Sequence, residues 1–175
     1  MRISRWGAVL AIAVLFALQS PQKDASAQVQ GLLDGSFARS RAATDESTFR
    51  AAIDRALASV PADQREGWRL RLGEMARPPA LISLRRADGS FSVQQGDSAV
   101  LRSPDSGATV TVDGGYSLDQ RITNGVLVQR VRNSDVTETL RHTLSADGRT
   151  LTLEIRIESA QFATPVTFQV TYARR

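Results

Sequence analysis

From Ala80 to the C-terminus, apolar and polar residues alternate with a period of two, and no other feature restricts the fold as strongly. One set runs Leu140, His142 and Leu144, then Leu151, Leu153, Ile155 and Ile157, then Val166, Phe168, Val170 and Tyr172. The interleaved set runs Thr139, Arg141 and Thr143, then Thr150, Thr152, Glu154 and Arg156, then Thr167, Gln169 and Thr171. A strand sends successive side chains to opposite faces, so one set makes a dry face and the other a wet one. A slip of one residue would put the whole apolar set in water, so burial dictates register. A turn on Asp147-Gly148 sets Leu144 opposite Leu151, His142 opposite Leu153 and Leu140 opposite Ile155. It also sets Arg141 against Glu154, an opposite-charge pair on the wet face.

Turn signals at Asp88-Gly89, Gln95-Gly96-Asp97, Pro104-Asp105-Ser106-Gly107, Asp113-Gly114-Gly115, Asn124-Gly125 and Asp147-Gly148 cut this region into short segments. Links this brief join antiparallel neighbours, because a parallel crossover needs a dozen or more residues. Upstream the period is helical. Phe49, Ile53, Leu57 and Val60 recur at steps of four, four and three behind a cap at Thr44 or Asp45, and Pro61 closes that helix or starts the next. A second helix over about 63–76 aligns Trp68, Leu72 and Met75 and stops at Pro78-Pro79, with Trp68 read as a core anchor. Residues 28–43 contain Gly31, Gly35 and Ser36 without a sustained period and read as a flexible lead-in. The expected fold is α+β, mainly β. Two N-terminal helices (about 44–76) precede a meander of seven to nine antiparallel strands (about 80–175), closed as a barrel or strongly curved, in a single domain over 44–175.

The first 27 residues read as a cleaved export signal. Arg2 and Arg5 precede an apolar stretch over 7–18, and Ala25-Ser26-Ala27 is a small-x-small cleavage site. Twelve residues of helix rise only about 18 Å, short of the ~30 Å hydrocarbon core, which disfavours a membrane anchor. The signal's form resembles bacterial secretion signals and implies a periplasmic or secreted protein, with no membrane span once the signal is removed. Arg2, Arg5, Lys23 and Asp24 carry half of the formal +4 net charge, and Lys23 is the only lysine. No basic run with interleaved aromatics is present, so nucleic acid is not an expected partner.

The absence of Cys removes disulfides, thiolate metal sites and thiol nucleophiles, and a single His removes every dyad or metal site needing two. No metal or cofactor is expected. His142 is the one possible imidazole base, and alternation places it on the apolar face. Glu138 shares that face, about 13 Å away along the strand, too far for one dyad. A two-carboxylate hydrolase needs neither His nor Cys, and Glu138 with Glu154 or Glu158 is the available pairing. Glu154 falls on the opposite face, and Glu158 lies at a strand end.

The hairpin from Leu144 to Leu153 and the closing strand with Phe168 and Tyr172 carry a resemblance to the lipocalin or calycin-like barrels, over about 80–175. Similar endings occur in small exported bacterial proteins. The Gly-x-Trp that opens a lipocalin barrel has no counterpart, since Gly67-Trp68 lacks the spacer and lies in a predicted helix. The resemblance implies a small apolar or amphiphilic ligand inside the sheet, with His142, Phe168 and Tyr172 as ligand-binding residues and no catalysis. An envelope protein bound through the helices or an edge strand is the alternative partner, and the carboxylate hydrolase the weakest reading. An outer-membrane barrel is disfavoured, because its lipid face would include Glu138 and His142 at a cost of about 1–3 kcal/mol each.

Overall fold

The computed structural model describes residues 33–175; the segment expected as an export signal (1–27) and residues 28–32 of the expected lead-in lie outside them. Its elements are β1 (Gly35–Arg39), α1 (Ala42–Leu57), α2 (Ala62–Met75), β2 (Leu81–Ala87), β3 (Ser90–Gln95), β4 (Leu101–Pro104), β5 (Val110–Val112), β6 (Tyr116–Thr123), β7 (Val126–Arg132), β8 (Val136–Leu144), β9 (Thr150–Ser159) and β10 (Val166–Arg174). All ten strands belong to one sheet in the order β4-β3-β2-β1-β10-β9-β8-β7-β6-β5, and every described pairing is antiparallel. β4 and β5 are its two edges. Near them Ser103 Oγ donates to Gln120 Oε1 at 3.1 Å, from β4 to β6, so the sheet curls into a nearly closed barrel.

Three expectations are corrected here. The sheet has ten strands rather than seven to nine, and one of them precedes the helices. That strand, β1, lies within the segment expected as a flexible lead-in. It has five residues and a single deeply buried side chain, Phe37, too short a pattern to show a period. It forms because β2 and β10 supply ladders on both sides, with Phe37 level with Ile82 and Arg174. By pairing with both, β1 joins the two halves of the meander. The first helix also starts earlier than expected, at Ala42. Arg41 occupies its cap position without a side-chain cap hydrogen bond, and Thr44 and Asp45 fall in the first turn.

The β8–β9 register agrees with the sequence reading at all four positions: Leu144 with Leu151, His142 with Leu153, Leu140 with Ile155 and Arg141 with Glu154. The turn itself is looser than a two-residue one. Ser145 pairs with Thr150, Gly148 at φ +70° donates to the Ser145 carbonyl at 2.9 Å, and the Asp147 carboxylate accepts from Ser145 Oγ and the Arg149 amide. Only a residue tolerant of the left-handed region fits at 148.

The helices cover one end of the barrel. α1 buries Phe49, Ile53 and Leu57, and the Phe49 ring meets Phe168 of β10 at 5.0 Å and 54°. α2 contributes the fully buried Leu72, while Trp68 packs edge-on against Phe162 at 5.0 Å beneath the Arg71 guanidinium. Trp68 is therefore a core anchor. Outside, β8 and β9 present Arg141, Arg156 and Glu158, charges a lipid-facing band would not tolerate at its middle. No described helix is long and apolar enough to cross a membrane.

The interior and exterior of the same hairpin differ sharply in worth. Truncating the fully buried Leu153 to Ala should cost about 2–5 kcal/mol of unfolding free energy. Neutralising its neighbour by Glu154→Gln breaks a half-exposed 3.7 Å pair and should cost under about 1 kcal/mol. Urea denaturation of the two variants checks the contrast.

Candidate ligand-binding cavity

β4 and β5 are the shortest strands after helix α2, and no ladder joins them. The interior therefore meets solvent between them. A half-open cavity of about 520 Å³ occupies this gap. Its walls are inward side chains of β3 (Val93, Gln95), β4 (Leu101), β5 (Val112), β7 (Val131) and β8 (Glu138, Leu140), and Met75 enters from the end of α2. An adjoining lobe of about 210 Å³ shares Met75, Leu101, Val112, Val131 and Glu138 and extends to Tyr116 and Val136. Asp113 borders both, at the start of the short 3-10 turn after β5. A smaller groove of about 350 Å³ separates α1 from α2, where the Asp54–Arg69 ion pair joins the two helices at 3.0 Å.

Alternation on β8 delivers Glu138 to this cavity. Its register neighbours are Val131 on β7 and Ile157 on β9, both apolar. No hydrogen bond or ion pair engages its carboxyl among the described residues. Withdrawal from water, with no nearby charge to offset it, pushes the carboxyl from 4.5 up to about 7.

His142 lies four residues further along β8, between Leu127 and Leu153, and is fully buried. Both ring nitrogens lack a protein partner, and desolvation pushes the imidazole from 6.5 down to about 4, so the ring is neutral at physiological pH. Two buried amides accompany it. Gln129 faces Gln120 across the β6–β7 ladder; both amide atoms of Gln129 and the Nε2 of Gln120 have no protein partner. A barrel filled only for stability would place apolar groups at these positions, because each orphaned buried polar group costs roughly 1–3 kcal/mol.

The three site residues expected from sequence all face the interior but do not converge. His142 is fully buried between Leu127 and Leu153. Phe168 packs under Phe49, and the Tyr172 hydroxyl donates to the Pro79 carbonyl at 3.1 Å while burial pushes its phenol upward. None of the three lines the cavity. The residues that do were partly legible: Glu138 by alternation and Met75 by its helical stripe. Leu101, Val112 and Val131 had no local signal, because the cavity exists only where two edges fail to pair. The carboxylate pairings are not built either. Glu158 is on the outer face, 2.8 Å from Arg156, and Glu154 pairs with Arg141, so neither meets Glu138.

The chain thus folds as an antiparallel barrel capped by two helices. No family model matches its sequence, and no curated protein matches it. Solved structures of similar arrangement include the wild-type fluorescent protein UnaG, 11% identical, covering 81% of this chain and 96% of that one with a TM-score of 0.46. Fatty-acid-binding protein 1 of Echinococcus granulosus is 10% identical, with 82% and 98% covered and a TM-score of 0.47. Zebrafish ileal bile-acid-binding protein complexed with cholic acid is 12% identical, with 82% and 99% covered and a TM-score of 0.45.

Glu138 and His142 act on stability in opposite directions. Glu138 holds its proton more tightly when folded, so its contribution is present below 4.5 and is lost as pH rises through about 7. His142 holds its proton less tightly when folded, so its contribution is present above 6.5 and is lost as pH falls through about 4. Each is worth about 3 kcal/mol in full. Over the shared window the two slopes cancel. Relative to the natural protein, Glu138→Gln should make stability climb from about pH 4 to 6.5, and His142→Leu should make it decline from about pH 4.5 to 7. Urea midpoints measured across that range check both signs.

Proposed function

We propose that this is an exported, non-catalytic binding protein that holds a small apolar or amphiphilic molecule in the cavity between β4 and β5. The cavity carries the reading. At about 520 Å³ it falls within the ~300–1,000 Å³ span of small-molecule sites, and eight of its thirteen lining residues are apolar. Export rests on the basic start, the apolar stretch and Ala25-Ser26-Ala27. The compartment is the periplasm or the exterior of a bacterial cell. Direct ligand contacts fall to Met75, Leu101, Val131, Glu138 and Leu140. His142, Phe168 and Tyr172 lie in the packed interior away from the cavity lining. Recognition of an envelope protein through the helices has less behind it, since Leu70 is the one large apolar side chain they leave exposed among the described residues.

Two measurements test this reading. Nile red, a neutral apolar dye, should brighten on binding and be displaced by 1-decanol. Val131→Trp, which fills the cavity from β7, should weaken that displacement by about tenfold or more, roughly 1.4 kcal/mol. Displacement unaffected by Val131→Trp would move the site elsewhere. Mass spectrometry of the protein recovered from a bacterial periplasm should show a chain beginning at Gln28; a chain retaining Met1 would remove the export half of the proposal.

A further inference from the structure

The cavity selects by charge as well as by apolarity. Its lining holds two carboxylates, Glu138 and Asp113, against one guanidinium, Arg102. Arg102 is the exposed residue of β4, turned away from the inward Leu101 and Ser103, and its Nε and Nη2 donate to Ser90 Oγ at 3.1 and 2.9 Å. Glu138 has no partner among the described residues. The elements packed round it offer no other cation on the inner face. β7 presents Val131, with Arg130 and Arg132 alternating outward and Arg132 paired to Asp119. β9 presents Ile157, with Arg156 and Glu158 paired outside. α2 contributes Met75, and the segment after β5 contributes Asp113 and Tyr116.

We propose that the ligand is a cationic amphiphile, its apolar body against Met75, Leu101, Val131 and Leu140 and its protonated amine on the Glu138 carboxylate. This rests on the cavity reading above and deepens it. An unpaired carboxylate among apolar walls is costly, and a cation that stays beside it restores the missing counter-charge. An anionic amphiphile would instead bring a second negative charge beside Glu138, where the cavity's one guanidinium, Arg102, lies at an exposed, outward-alternating position of β4. A neutral one would leave the carboxylate as it is. Asp113 at the rim adds to the negative field through which an approaching cation passes.

Decylamine, 1-decanol and decanoate share one chain and differ only in charge, so displacement of Nile red by the three isolates the Glu138 contribution. At about pH 8.5, where the Glu138 carboxyl is ionised and the amine, with a pKa near that of lysine at ~10.4, is still protonated, decylamine should bind at least about tenfold tighter than 1-decanol. Decanoate should bind more weakly than 1-decanol. The amine preference should shrink toward the alcohol value at about pH 5.5, where Glu138 is protonated. In Glu138→Gln it should vanish at both pH values. Asp113→Asn should keep most of it. The pH series on the natural protein decides the matter even if Glu138→Gln does not fold. Binding of 1-decanol without amine preference, or a preference that survives Glu138→Gln or follows Asp113 instead, overturns the cationic ligand and leaves the carrier standing. Failure of all three chains to displace the dye overturns both.

Discussion

The barrel depends on burial of one face of a long curved sheet. Leu151, Leu153, Ile155 and Ile157 on β9 are each nearly or wholly withdrawn from water, and each meets an apolar partner on β10. That single constraint sets the register of the three C-terminal strands. Through the ladders on either side it also positions what lies further out. β10 receives β1, β1 receives β2, and β8 receives β7. The two helices then have an apolar surface to cover, and α1 does so through the Phe49–Phe168 contact. Neither helix would persist in water without that surface, since isolated helices of such length are marginal.

Closure is incomplete, and the interior opens as a result. Between β4 and β5 the ladder is interrupted, leaving an opening under Met75 through which Glu138 can be reached. A barrel laced all the way round would seal this face and fill it with side chains, as small closed barrels do. The interior also departs from what stability alone would select. Gln120, Gln129 and His142 are fully buried with atoms that no protein group satisfies, and Glu138 carries an uncompensated carboxyl. Such groups lower stability wherever they stand, and they are concentrated on β6, β7 and β8, next to the cavity.

Local pattern and long-range geometry contributed differently. The β8–β9 pairing was legible because alternation and polarity matching act over a few residues and leave one acceptable alignment. Trp68 was legible because Leu72 and Met75 continue its stripe. β1 was not: five residues with one deep side chain have too little pattern, and its ladders come from residues some 45 and 135 positions away (Phe37 with Ile82 and Arg174). The helix start at Ala42 was missed because the local cap signal of Thr44 and Asp45 competes with a first turn anchored instead by the chain leaving β1. For the site, Glu138 and His142 were legible as inward residues. Phe168 and Tyr172 were inward too, yet the packing of Phe49 and the Pro79 carbonyl occupies them.

By itself the sequence established an antiparallel sheet with one dry face, two helices set against it, an interior holding one histidine, and chemistry without thiols or paired imidazoles. These follow from side-chain periodicity and composition, which are properties of short segments. Only the tertiary structure decided that β1 would bridge β2 and β10, that β4 and β5 would stay apart, and that Glu138 rather than His142 would face the resulting cavity. Those outcomes depend on how far a twisted sheet travels round its axis before its edges meet. That distance is set by the sum of all its strands, and no local stretch of residues encodes it.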